Sequence, residues 1–169
     1  LDMMVYVALQ ASGFAKERVI GMAGELDGAR LKFELARASG KEISSMRSAI
    51  VGPHSEEMIA LKNELGFEIS DEIFGRAVQN TKRAGAQIGE LLGTSAYLAP
   101  AAGIVKIIKY ILFDTCGTLA CCVADRSGVP LGRFVSVGKM GAIERNFAYS
   151  GEFYKQLERM RERIAELKF

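Results

Sequence analysis

The chain has 169 residues, 49% hydrophobic and 25% charged, which is enough for one domain of ordinary size with a buried core. Its 22 basic and 20 acidic side chains leave a net charge of +2, with no basic stripe interleaved with aromatics, so nothing in the charge pattern selects nucleic acid. The long apolar stretch at residues 98–113 is broken by Lys106 and Lys109 and is too short to span a bilayer, and no signal-peptide pattern opens the chain.

In chain order, residues 3–11 predict a helix stopped by Gly13, with Asp2 available as its cap. Residues 19–22 predict a short strand, and residues 26–38 a helix closed by Gly40 with Leu26, Ala29, Phe33 and Ala36 turned inward. Two further strands, at 46–51 and 58–61, flank a loop that would hold His54 at its tip. From Ser70 or Asp71 the pattern is helical again, with Ile73, Phe74, Ala77, Val78, Thr81 and Ala84 inward. Gly85, Gly89 and Gly93 continue it at every fourth position, a spacing that predicts another backbone close by, because glycine in a helix costs up to about 1 kcal/mol.

Pro100 suits the first turn of the next helix, which should end near Phe113 and, being almost wholly apolar, should be mostly buried. Residues 119–124 and 133–137 predict strands joined across Ser127-Gly128-Val129-Pro130. A charged amphipathic helix over 151–169, with Phe153, Leu157, Met160, Ile164 and Leu167 on one side, completes the chain. Cys116, Cys121 and Cys122 are odd in number and partly adjacent, which argues for a reducing compartment rather than disulfides. They also lack the spacing and the second histidine that a zinc site would need, so no metal is expected.

The chain's single histidine, His54, lies on a Gly-Pro turn, and histidine is the side chain whose ordinary pKa sits near neutrality, so it is a candidate proton carrier. Asp27 and Arg30, three apart at a helix start, project from one edge. The carboxylate could hold one imidazole nitrogen and fix its tautomer, while the guanidinium could grip a substrate carboxylate with both prongs. A solvated loop histidine and an ordinary surface Asp–Arg pair are the plainer readings, and spacing alone does not separate them.

Three stretches, VIGMAGELDGAR at 19–30, VGPHSEEM at 51–58 and LLGTSAYLAPAAG at 91–103, closely resemble in this order the substrate-domain motifs of the NAD-dependent malate and lactate dehydrogenase family. The similarity runs from Leu1 to at least Met140. The resemblance implies an α+β fold like that family's C-terminal domain, with antiparallel strands packed against long helices. It implies His54 as general acid/base, Asp27 as the residue that orients it, Arg30 as the clamp on the substrate carboxylate, and Ser95, ahead of Thr94, in the substrate pocket. Two departures stand out: Ser55-Glu56 follows the histidine where the family usually has Gly-Asp, and a shortened region after Leu119 carries Cys121-Cys122.

The implied activity is that of the catalytic domain of a malate dehydrogenase, oxidising (S)-malate to oxaloacetate by hydride transfer to NAD with histidine acid/base catalysis. A domain acting on lactate or another 2-hydroxy acid, or a non-catalytic oligomerisation module, are the alternatives. No G-x-G-x-x-G follows a strand anywhere in the chain. The resemblance therefore implies that residues 1–169 form a single substrate-binding domain, inactive alone, and that NAD is held mainly by an N-terminal Rossmann domain absent from it. Leu1-Asp2 reads as the continuation of that half's Asn-Pro-x-Asp motif. Expected partners are a dicarboxylic or 2-hydroxy acid substrate, the nucleotide-binding domain and further copies in a homodimer or homotetramer, in a cytoplasmic setting.

Overall fold

Helix α1 (Asp2–Ser12) opens the computed structural model, which describes residues 1–167, and Gly13 ends it in the left-handed conformation at φ 64°. Its first residue does not cap it. Asp2 is buried and turned toward another part of the chain, so the helix starts without a side-chain cap. The strand expected at 19–22 reduces to a single antiparallel bridge between Gly21 and Cys122. Helix α2 (Ala23–Ser39) follows at once, three residues earlier than its apolar spacing predicts, and Gly40 closes it at φ 69°.

The inward face of α2 matches the one expected only in part, with Leu26 buried and Ala36 packed against the core. Leu31 and Leu35 are fully buried, whereas Phe33 is exposed, as is Ala29. Both sets fit a 3.6-residue period; the tertiary partner selects between them, because α3 (Asp71–Leu92) packs where Leu31 and Leu35 point. That cluster joins Leu31, Leu35, Met46, Ile50, Leu65 and Ala77. Burying a leucine of this kind contributes about 1.5–3 kcal/mol.

Strands β1 (Ile50–Val51) and β2 (Ile59–Ala60) are antiparallel and shorter than expected, pairing only Ile50 with Ala60 and Val51 with Ile59. Helix α3 begins as predicted, with the Ser70 hydroxyl accepting from the Ile73 N–H at 3.3 Å. Its glycine row does not meet one neighbouring backbone. Gly85 faces the Arg30 guanidinium, Gly89 has only the Thr94 carbonyl near it, and Gly93 is the left-handed C-cap at φ 65°. Three equally spaced glycines thus have three different surroundings.

Helix α4 (Leu98–Phe113) carries Pro100 in its first turn, but of its residues only Ile107 is buried. Leu98, Ile104, Val105, Ile108, Leu112 and Phe113 are exposed, contrary to its composition. Lys106 explains part of this, because its ammonium pairs with the buried carboxylate of Glu25 on α2 and so fixes which side of α4 faces the fold. Strands β3 (Gly117–Ala124), β4 (Pro130–Gly138) and β5 (Gly141–Glu144) form an antiparallel meander in sequence order. The last strand is not legible in the sequence, since its hairpin turns on Lys139-Met140 instead of an Asn-Gly type pair, with Gly141 supplying the positive φ of 99°.

This sheet is buried on both faces. Leu119, Cys121 and Val123 pack with Ile107 of α4, while Ala120, Leu131 and Phe134 pack with Phe153, Leu157 and Met160 of α5 (Gly151–Ala165). The tail helix thus presents the predicted face through Phe153, Leu157, Met160 and Ile164, but it ends at Ala165 and leaves Leu167 exposed, and residues 168–169 of the predicted span lie outside the described residues. Among the described residues no helix is long and apolar enough to cross a membrane.

Burial separates the three cysteines. Cys121 and Cys122 lie inside β3, and Cys116 is exposed just before it. Burial, followed by the charge of Glu25, pushes the Cys121 thiol up to about 12, and burial followed by the charge of Asp2 pushes Cys122 well above the ordinary thiol range. Since the thiolate is the reacting species, neither should react at pH 8. Titration of the native chain with a chromogenic disulfide should release one fast equivalent of thiol, and three after unfolding. Fast release of all three without denaturant would contradict this packing.

Candidate active site

The site is assembled by two close backbone approaches. Gly52 and Gly132 form an antiparallel bridge, with Gly52 N–H donating to the Gly132 carbonyl at 2.8 Å and Gly132 N–H donating back at 3.1 Å. A Cβ on Gly132 would sit 2.4 Å from the Gly52 carbonyl oxygen, and Gly52 itself holds φ 88°. Helix α2 approaches the same sheet through Gly24, whose Cβ would lie 2.6 Å from the Ala120 carbonyl oxygen. Only glycine permits these contacts, and together they bring the start of α2 and the 52–58 loop to neighbouring places on β3 and β4.

The loop is closed by local bonds. Ser55 N–H donates to the Pro53 carbonyl at 2.9 Å, Met58 N–H to the Ser55 carbonyl at 3.1 Å, and the Ser55 hydroxyl accepts from Glu57 N–H at 3.1 Å. The Ser55-Glu56 departure therefore leaves a well-bonded turn. Glu57 also pairs with Arg159 of α5 at 2.7 Å, so the loop is tied to the tail helix.

Asp27 and His54 meet as the sequence suggests they could. Asp27 is 1% exposed, and its Oδ2 lies 2.7 Å from His54 Nδ1. That contact leaves Nε2 as the ring nitrogen for other chemistry, with the 32% exposed side chain reaching solvent. The other oxygen of Asp27 accepts from Arg30 Nη1 at 3.4 Å, so one buried carboxylate serves both the imidazole and the guanidinium. Arg30 is 15% exposed at its side chain, and its Nε has no partner. Such a guanidinium, held at one nitrogen and with a buried Nε still unpaired, retains donors for a second carboxylate.

Thr94 and Ser95 are not brought into this group. They sit exposed in the turn between α3 and α4, and among the described residues neither side chain hydrogen-bonds Asp27, Arg30 or His54. Sequence reasoning also missed Asp2, whose Oδ2 accepts from the backbone N–H of His54 at 3.1 Å across 52 positions of chain. Its sequence signals are an acidic residue at a helix start, which reads equally well as a cap, and its place in the Asn-Pro-x-Asp resemblance, which assigns it no contact with the histidine. Among the described residues no group of three or more His, Cys, Asp and Glu side chains could hold a metal.

The sequence profile of the lactate/malate dehydrogenase alpha/beta C-terminal domain matches residues 24–168. The chain belongs to that family. It is 38% identical over 156 residues to the malate dehydrogenase of Nitratiruptor sp., covering 85% of this chain and 49% of that protein. It is 32% identical over 157 residues to malate dehydrogenase 2 of Aquifex aeolicus, covering 83% and 47%. The solved malate dehydrogenase of Salinibacter ruber superposes with a TM-score of 0.88 at 30% identity, covering 98% of this chain and 58% of that one. The Plasmodium falciparum malate dehydrogenase solved in complex with NADH gives a TM-score of 0.92 at 24% identity, covering 98% and 62%, and bears on the fold alone. The chain spans about half the length of the curated relatives it matches.

The domain family accounts for the α+β architecture but not for a dinucleotide cradle among these residues. Every strand pair described is antiparallel, and the glycine-rich turn between a parallel strand and a helix, on which such cradles depend, has no counterpart among them.

The Gly52–Gly132 contact can be tested directly. Gly132→Ala places a methyl group against a backbone oxygen and should destabilise the domain by about 1–3 kcal/mol. Gly75→Ala, on an open face of α3, should be neutral or stabilising by up to about 1 kcal/mol. Denaturant melts of the two variants should differ in this order, and equal midpoints would rule out the close approach.

Proposed function

We propose that the chain is the substrate-binding and proton-transfer domain of a malate dehydrogenase that oxidises (S)-malate to oxaloacetate. The observation that carries this reading is the shared carboxylate of Asp27, 2.7 Å from the imidazole of His54 and 3.4 Å from the guanidinium of Arg30. In it, Arg30 binds a carboxylate of the substrate with its free nitrogens. That places the 2-hydroxyl at Nε2 of His54, which takes the hydroxyl proton as the C–O bond gains double-bond character. The imidazolium that results is stabilised by Asp27, which also keeps the ring in the tautomer with Nε2 free.

NAD belongs to this proposal as the hydride acceptor, held by a nucleotide-binding domain of the kind the longer relatives have room for. Malate is preferred to lactate because the relatives named above are malate dehydrogenases. Ser95 and Thr94 complete the pocket in this reading, by closure of the turn that carries them. A second role, assembly into a homodimer or homotetramer, is supported by the exposed apolar side of α4. Three unpaired thiols are consistent with a cytoplasmic setting.

In the enzyme assembled with its nucleotide-binding domain, His54→Ala should lower kcat by at least about 10²-fold, the lower end of what a positioned acid/base supplies. Arg30→Lys keeps the charge and loses the planar fork, so KM for malate should rise on the order of tenfold with a smaller change in kcat. Steady-state kinetics of both variants decide the matter: undiminished turnover without the imidazole would sink the assignment. Residues 1–169 alone, titrated with NADH by calorimetry, should show no micromolar binding, and a clear micromolar isotherm would place a nucleotide site in this domain after all.

A further inference from the structure

We infer that Asp2 is a positioning residue for His54, holding the backbone of the histidine in place and adding a second negative charge at its backbone nitrogen. This rests on the proposed role of His54 as proton carrier. Asp2 comes from the first turn of α1, yet it is 7% exposed and does not cap its own helix. Its Oδ2 accepts from the N–H of His54 at 3.1 Å, and its buried Oδ1 has no nitrogen or oxygen donor among the described residues, the Cys122 thiol being the group beside the carboxylate. The space enclosed by Asp2, Asp27, Gly52, His54, Cys122 and Gly132 has no room for a water molecule, so that oxygen is not hydrated from within.

A backbone N–H needs only a neutral acceptor. A carboxylate kept dry, with one backbone N–H and a weakly donating thiol as its partners, is an expensive substitute, and its charge is the property that an amide or hydroxyl would lack. Coulombic stabilisation of a cation forming nearby is strong where water is excluded. The groups that face His54 are few. Helix α2 contributes Asp27 and Arg30, α1 contributes Asp2, β3 contributes the protonated thiol of Cys122, and β4 contributes the uncharged Gly132. On the loop itself Glu56 is exposed and Glu57 is paired with Arg159. Asp2 and Asp27 therefore bracket the histidine, one at its backbone nitrogen and one at its ring.

The test uses the enzyme assembled with its nucleotide-binding domain, with malate and NAD as probes. Asp2→Asn keeps shape and acceptor but removes charge. It should lower kcat about tenfold, leave KM for malate within about twofold, and move the acid limb of the kcat/KM profile to lower pH, because the imidazolium loses a neighbouring anion. Asp2→Ala removes the anchor as well, and should lower kcat on the order of 10²-fold. A folded Asp2→Ala enzyme with wild-type kcat and an unshifted profile overturns the inference. So does a variant in which kcat and KM worsen together without movement of the pH profile, the mark of a merely structural residue. Should Asp2→Ala fail to fold, the profile of Asp2→Asn decides alone. His54→Ala measured alongside separates the two claims: if it retains turnover, the proposed function falls, and if it is inactive while the Asp2 variants match wild type, only the role of Asp2 falls.

Discussion

The structure depends most on a carboxylate that has almost no access to water. Asp27 is 1% exposed, and an isolated charge so placed would cost several kcal/mol, so it must be paired. It is paired twice, by an imidazole from a loop 27 positions away and by a guanidinium three positions along its own helix. Removing one partner of such a group typically costs about 3–5 kcal/mol, because the remaining charge stays buried. The same requirement that makes the arrangement costly also makes it specific: α2 and the histidine loop can sit in few other relative positions.

Meeting that requirement calls for close approach, and glycine provides it. Gly24 lets α2 lie on the Ala120 carbonyl, and the Gly52–Gly132 bridge ties the loop to β4. The central sheet acts as a common base plate. Strands β3 and β4 are buried on both faces, with α4 on one and α5 on the other, so the platform beneath the histidine loop is rigid on both sides. The loop is further tied to α5 by the Glu57–Arg159 pair, although an exposed ion pair contributes little beyond about 1 kcal/mol.

Several errors of the sequence reading share one cause. The inward face of α2, the burial of α4 and the meaning of the glycine row on α3 are all questions about which neighbour lies beside a helix. Leu31 and Leu35 are as available to a helical period as Ala29 and Phe33, and only the position of α3 chooses between them. The composition of α4 predicts burial, but the Lys106–Glu25 pair helps fix which side of α4 meets the fold, and most of the remaining apolar side chains are exposed. Strand β5 escaped notice because its turn residues lack the usual signal, and the strand at 19–22 was overread because a single bridge needs no alternating pattern.

By itself the sequence determined what is local. The glycine stops of α1 and α2, the Ser70 cap, the tail helix and the placement of His54 on a turn all follow from backbone chemistry within a few residues. It also carried three motifs whose order points to the lactate/malate dehydrogenase family, and the profile match over residues 24–168 agrees. Only the tertiary structure decided that Asp27 touches His54 at Nδ1, that Arg30 shares the same carboxylate while Thr94 and Ser95 stand apart, and that Asp2 reaches the histidine backbone. The physical reason is that these contacts join residues 27 and 52 positions apart. Such distances are set by helix packing and glycine-permitted backbone approach, neither of which leaves a periodic trace in the chain.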